Sequence, residues 1–287
     1  MDTLQVDLPS GPIRYRDTGG AGPVVVLLHG LMMDFHLWDQ VISELGSSVR
    51  CLAPTLPMGA HTTPSTDADL SLPGLARLVQ AFLQQLDLHD VTLIGNDTGG
   101  AVVQLVAASG EPRVGRIALL SCEAFDNLPP GLTGRTLAAA SHLSAGLFGA
   151  FMQQLRVKLV RRLPISFGWL TKRGDDVVVG WIQPVLSSAA TRRDTVRMLR
   201  AVFADRRVLL GVVPALQRFT RPALVIWARE DRVMPLEHGR RLAALLPAAQ
   251  LVEVDDSYTL LPLDQPAVIA RAVRAFLADA TVPPASR

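Results

Sequence analysis

Cysteine is nearly absent: Cys51 and Cys122 are the only two in 287 residues. Two are too few for a disulfide framework, and they lack the C-x-x-C spacing of zinc or redox sites. Tyrosine is as scarce, with Tyr15 and Tyr258 alone. The strongest apolar run, PVVVLLHG at 23–30, is far shorter than the roughly 20 residues that span a bilayer. Excess charge of one sign is missing too, since the formal net charge is +2, which predicts no nucleic-acid and no membrane partner overall. The opening stretch MDTLQVDLPSGPIRYRDTGG has no basic start followed by an apolar core, so no signal peptide is expected and a cytoplasmic setting is the default. GNDTGG at 95–100 lacks the G-x-G-x-x-G spacing, no P-loop lysine follows it, and no metal-ligand cluster is visible, so no cofactor and no metal are predicted.

What remains is a globular enzyme's composition, 49% apolar and 19% charged, in a chain long enough to bury a core without staples. Short strands are expected at 4–8 and 12–17, followed by PVVVLLHG, whose unbroken apolar character marks a strand buried on both faces. A helix from about 34 to 45, a strand in VRCLAPTL (49–56) and a helix over 71–86 follow, the last with apolar positions at 3–4 spacing and Ser71 as N-cap. VTLIGN then turns into a helix, RIALLSC (116–122) and PALVIWA (222–228) are buried strands, and 236–246, 249–254 and 264–277 read as helix, strand and helix. This alternation predicts a mainly parallel sheet wound on both sides. Between 125 and 219 the rhythm stops. That segment reads as helical, with DVVVGWI (176–182) the one stretch of strand-like composition. Its Lys and Arg outnumber Asp and Glu nearly three to one. The expected division is a core of 1–124 and 220–287 with a helical cap of 125–219 inserted after the sixth strand.

Gly95-Asn96-Asp97-Thr98-Gly99-Gly100 fits the small-x-nucleophile-x-small pattern of a nucleophile elbow. The central residue sits in a strained strand-to-helix turn, and the following helix points N–H groups at it. LLHGLMMD (27–34) supplies a strand ending in His-Gly, where a second oxyanion donor arises, so the expected donors are the backbone N–H groups of Leu31 and Thr98. His29 is then structural. WAREDRVMP (227–235) places Asp231 late in the chain at a strand end, and Glu123 in LSCEAFD follows the sixth strand.

With these motifs in this order, the chain resembles an α/β-hydrolase-fold protein of the branch that contains haloalkane dehalogenases and epoxide hydrolases, in which the nucleophile is Asp. The resemblance covers roughly 12–124 and 215–280. It implies that Asp97 attacks carbon to form an ester, and that a His oriented by a second carboxylate then activates water. Asp231 matches the usual position of that acid and Glu123 an alternative one.

The resemblance fails at the base. Thr259 occupies the His position in DSYTLLP (256–262), and threonine cannot exchange a proton near neutral pH as imidazole does. Tyr258 beside it suits a hydrogen-bond donor better than a base. The branch's halide-holding Trp and Asn are replaced by Thr98 and Leu31, and neither tyrosine lies in the cap, where epoxide hydrolases hold the epoxide oxygen. Substitute bases are sought among the histidines: His61 in PMGAHTTP first, then His36 and His142, with His89 and His238 expected at the periphery. Met32, Met33, Phe125, Trp169 and Trp181 are candidate pocket-lining residues. Three functions stay open: a hydrolase of a small, mostly apolar epoxide, halide or ester; a lyase, isomerase or cyclase on the same scaffold; and a catalytically inactive binder whose basic cap meets an anionic ligand or an acidic carrier protein.

Overall fold

The computed structural model describes residues 3–64 and 68–279. Eight strands form one sheet: β1 (Thr3–Leu8), β2 (Gly11–Asp17), β3 (Val24–Leu28), β4 (Arg50–Pro54), β5 (Val91–Asn96), β6 (Val114–Leu120), β7 (Ala223–Ala228) and β8 (Ala249–Val254). Their spatial order is β1-β2-β4-β3-β5-β6-β7-β8. β1 and β2 pair antiparallel, as do β2 and β4, and every later pair is parallel. β5 and β7 are buried along their whole length, which is why their sequences run apolar without alternation.

The connecting helices cover both faces. A single turn at Phe35–Trp38 leads into α1 (Asp39–Leu45). α2 (Leu72–Gln85) starts where the Ser71 hydroxyl accepts from Gly74 N–H at 3.2 Å, and it buries Leu72, Leu75, Leu78, Val79, Phe82 and Leu83 at helical spacing. Each such side chain contributes roughly 1.5–3 kcal/mol by leaving water. α3 (Thr98–Ala108) follows the elbow and is buried almost throughout. α11 (Leu236–Leu245), the turn α12 (Leu261–Asp264) and α13 (Pro266–Ala278) close the chain, with the ten helices before them completed by the segment between β6 and β7.

That segment holds helices only among its described elements: α4 (Gly131–Ala140), α5 (Ala145–Gln153), the turn α6 (Lys158–Arg161), α7 (Val178–Ser187), α8 (Ala189–Val202), and the turns α9 (Val208–Gly211) and α10 (Val213–Leu216). DVVVGWI is therefore not a strand. Val178, Trp181, Ile182 and Val185 are buried, an i, i+3, i+4, i+7 set whose burial outweighs the strand preference of the valines. Trp181 also fastens the cap to the core, its indole N–H donating to Asp34 Oδ1 at 2.9 Å. His61 Nε2 with Asp194 Oδ2, 2.9 Å apart and buried, makes a second tie. A third runs from the Thr171 hydroxyl to Asp264 Oδ1, 2.8 Å.

At the elbow the backbone of α3 passes close beneath β3. A Cβ on Gly99 would lie 2.4 Å from Leu28 O and 2.6 Å from His29 O, both backbone atoms that cannot swing aside. Gly99→Ala is expected to lower stability by about 1–3 kcal/mol in urea unfolding. Gly180→Ala, where an added Cβ meets nothing within 4 Å, should be neutral or slightly stabilising.

Candidate active site

The candidate residues stand at the C-terminal ends of the parallel strands, where open α/β sheets form their sites. Leu31 follows β3, Asp97 follows β5, Glu123 follows β6, Asp231 follows β7, and Thr259 follows β8. Asp97 has φ 54° and ψ −135°, a conformation that costs a side-chain-bearing residue on the order of 1–3 kcal/mol. The turn is held by Asp97 N–H donating to Ser121 O at 3.1 Å and Gly100 N–H donating to Asp97 O at 2.9 Å.

The Asp97 carboxyl is only 6% exposed, and its Oδ1 accepts from Thr98 N–H at 2.7 Å, Leu31 N–H at 3.2 Å and the Thr98 hydroxyl at 3.1 Å. The two backbone donors foreseen from the sequence thus meet at one oxygen. Oδ2 makes no hydrogen bond among the described residues. Gly30 permits the approach, since a Cβ there would sit 2.2 Å from Asp97 Oδ1. His29 fixes the donor peptide: Nδ1–H donates to Gly30 O at 2.8 Å, while Nε2 accepts Leu56 N–H at 2.9 Å. Because Gly30 O and Leu31 N belong to one peptide plane, the histidine aims the Leu31 N–H. His29 is fully buried, and burial lowers its pKa to about 4, so the ring is neutral.

Glu123 is fully buried, with Oε1 2.7 Å from the Thr98 hydroxyl and Oε2 without a partner among the described residues. Its pKa is pushed well up, first by burial and then by the nearby charge of Asp97; burial also raises Asp97, against the N–H groups of Thr98 and Leu31. Two carboxyl groups this close in a dry site do not both ionise. Thr98 has one hydroxyl hydrogen for two carboxyl neighbours, and both contacts are satisfied when the neutral Glu123 carboxyl donates to Thr98 Oγ1 and the hydroxyl donates to the charged Asp97 Oδ1.

Asp231 is lifted to about 6 by burial, against the Met234 and Val233 N–H groups and the Thr259 hydroxyl. These three donors reach Oδ1 at 2.8, 2.9 and 2.8 Å, and Oδ2 is buried without a partner. Thr259 therefore keeps the tie to the acid that a histidine at this place would make. Asn96, which the motif reading passed over, holds Thr259 to the elbow: its Nδ2 donates to Thr259 O at 2.8 Å and Leu120 O at 3.0 Å. Nothing in the sequence distinguishes Asn96 from any other residue before a nucleophile.

Asp97 and Glu123 line one cavity of about 60 Å3 beneath the cap. Leu31, Met32, Met33 and Val233 complete the core side, and Pro130, Thr133, Leu137, Phe151, Met152, Leu155, Phe167 and Leu170 come from the cap. Of the proposed lining residues only the two methionines are there. Trp181 packs in the cap, Trp169 lies against Arg232 at 5.5 Å, and Phe125 is sandwiched by Arg241 and His238. The cap contributors were invisible because helical spacing alone does not say which buried face meets a void.

The substitute bases are elsewhere. His61 Nδ1 accepts Gly59 N–H at 3.2 Å and Nε2–H donates to Asp194, so neither nitrogen is free, and the ring lines a different recess together with His36. His36, half-exposed, pairs with Asp34 at 2.9 Å, which raises its pKa. His142 lines a third recess, behind α4. His89 pairs with Asp87 on the surface. The Tyr258 ring is turned outward between Lys172 and Arg232, 5.0 and 4.3 Å away. Among the described residues no group of three or more His, Cys, Asp or Glu is arranged to hold a metal ion, and no helix is long and apolar enough to cross a membrane.

A family model described as "alpha/beta hydrolase fold" matches residues 23–266. Haloalkane dehalogenase 2 of Mycobacterium bovis is 28% identical over 93% of this chain and 92% of its own. The 2-hydroxy-6-oxononadienedioate/2-hydroxy-6-oxononatrienedioate hydrolase of Cupriavidus pinatubonensis is 26% identical over 83% of this chain and 81% of its own. The crystal structure of a putative ancestral haloalkane dehalogenase superposes with a TM-score of 0.76 at 22% identity, covering 96% of this chain and 98% of that one, a likeness of fold.

Asp231 holds its proton more tightly folded, at about 6, than at its ordinary value of 3.8. Its contribution to stability is therefore greatest at low pH and is lost as pH rises through about 6, by up to ~3 kcal/mol between pH 4 and 7. Relative to Asp231→Asn, the wild type should lose stability between pH 5 and 7.5 in paired urea titrations; a constant difference would show that Asp231 titrates at the same pH in both states.

Proposed function

Since the chain belongs to the alpha/beta hydrolase fold family, we propose that it is a hydrolase that opens a small epoxide, with Asp97 as nucleophile and Glu123 as the proton-transferring group. The observation that carries this reading is the pair of buried carboxyl groups on one cavity, one with an unpartnered oxygen and an oxyanion site, the other neutral with an unpartnered oxygen.

Asp97 Oδ2 attacks an epoxide carbon, the C–O bond breaks, and the departing oxygen takes the carboxyl proton of Glu123. This leaves a hydroxyalkyl ester on Asp97 and a carboxylate on Glu123. The ester carbonyl oxygen is Oδ1, already held by Leu31 and Thr98 N–H. Water then adds to that carbonyl while giving its proton to Glu123, and the tetrahedral intermediate collapses to diol, Asp97 carboxylate and neutral Glu123. Esterification also removes the Asp97 charge, one of the two causes that disfavour ionised Glu123. Neither Thr259 nor a histidine is needed. The small cavity, well under the ~300 Å3 of a drug-sized ligand site, supports a small substrate.

With a small terminal epoxide as substrate, wild type should turn over and, in a single turnover in heavy-oxygen water, place the label in Asp97. Glu123→Gln should lower kcat by about 10²-fold or more and accumulate an Asp97 adduct in intact mass spectra, whereas Asp97→Asn should give neither adduct nor product. Full activity in Glu123→Gln would overturn the assigned role of Glu123, and full activity in Asp97→Asn would overturn the nucleophile.

A further inference from the structure

Behind α4 lies a second, larger cavity of about 760 Å3, walled by Asp126–Pro129, by the outer face of α4 through His142, and by the chain from Arg200 to Leu210. α4 is a shared partition: Thr133, Gly134 and Leu137 face the Asp97 cavity, while Arg135, Ala138 and Ala139 face this one. The volume lies within the roughly 300–1,000 Å3 of small-molecule sites.

Its charges are one-sided. Arg135, Arg200, Arg206 and Arg207 line it against a single acid, Asp126. Arg200 is engaged at the end of α4, its Nε donating to Ser141 O at 2.7 Å. The guanidinium groups of Arg135, Arg206 and Arg207 have no hydrogen bond or ion pair among the described residues, although elsewhere in the cap Arg161, Arg162, Arg173 and Arg197 are paired with aspartates. Leu128, Pro129, Ala138, Phe203 and Leu210 give the same recess an apolar floor.

We propose that this cavity binds a small organic anion, an apolar body carrying a phosphate or carboxylate head, with the head held by Arg135, Arg206 and Arg207. Guanidinium forks suit either oxyanion through paired N–H bonds. The concave shape selects a small molecule over an acidic protein surface, which would meet these cations on a convex face. The site is separate from the hydrolytic one, so its occupancy is testable without turnover.

The test is calorimetric titration of the full chain with octyl phosphate, octanoate and inorganic phosphate, each at 50 and 300 mM salt. Binding of octyl phosphate or octanoate, weakened by salt, is expected, with at least tenfold loss in Arg135→Ala/Arg206→Ala/Arg207→Ala and none in Asp97→Asn. The head that binds tighter identifies the ligand class. The three arginines are exposed, and an unchanged melting temperature of the unliganded triple variant verifies that it folds. No binding by either amphiphile, equal binding by the triple variant, or binding abolished by Asp97→Asn would overturn the site, and binding of inorganic phosphate alone would overturn the role of the apolar floor.

Discussion

The site depends on the burial of one carboxylate at the end of β5. Asp97 can be ionised there because two backbone N–H groups, those of Leu31 and Thr98 at adjacent strand ends, converge on a single oxygen. The parallel pairing of β3 with β5, Leu28 opposite Gly95, sets that convergence, and Gly30 and Gly99 remove the side chains that would block it. His29 orients the Leu31 donor from outside the cavity. Because all these contacts are made by backbone or by fully buried side chains, the oxygen's surroundings are preorganised and need no rearrangement when charge moves.

Satisfying Oδ1 this completely has consequences for its neighbours. The negative charge that the N–H groups stabilise is felt by Glu123, which shares the Thr98 hydroxyl and has no cation to offset it. The cap removes water from the same space with Leu137, Phe151, Met152 and Phe167, so the dielectric stays low and the two acids settle into unequal protonation states. Asp231, a little further along the strand ends, is raised by burial alone against three good donors. Burial raises all three carboxyl groups, and their donors differ: Asp97 Oδ1 and Asp231 Oδ1 each receive two backbone N–H groups, whereas Glu123 Oε1 meets the Thr98 hydroxyl.

The strands of a mainly parallel sheet, the turn at Asp97 and the convergence of the Leu31 and Thr98 N–H groups were legible because they rest on local rules: unbroken apolar runs, glycines two residues from Asp97, a His-Gly strand end. Thr259 in place of a base was legible by position. The role proposed for Glu123 was not. Glu123 was recognisable as an acid after β6, but its raised pKa arises from burial and from the Asp97 charge at the end of a neighbouring strand, neither of which has a sequence period. His61 shows the opposite error. Its loop lies on the correct sheet edge, yet a backbone N–H and a cap aspartate occupy both ring nitrogens. DVVVGWI stood out as strand-like by composition within a segment read as helical, and the spacing around Trp181 settles it as helix.

The proposed move of proton transfer from the loop after β8 to Glu123 would also narrow the chemistry. A histidine held by an acid is a base from the start, which suits a halide, whose departure needs no proton. A neutral carboxyl beside the nucleophile is an acid first and becomes a base only after giving its proton away. Such a cycle closes when the leaving atom is an oxygen that accepts that proton. An alkyl halide would leave Glu123 protonated through esterification, with no base for the water step until a proton escaped from a dry cavity. The epoxide supplies its own acceptor, so the order of proton transfers matches the order in which the site is charged. Asp231 and Thr259, still joined through the hydroxyl, then serve to hold the β7 and β8 ends against Asn96 and the elbow, a structural tie in the place where a relay would stand.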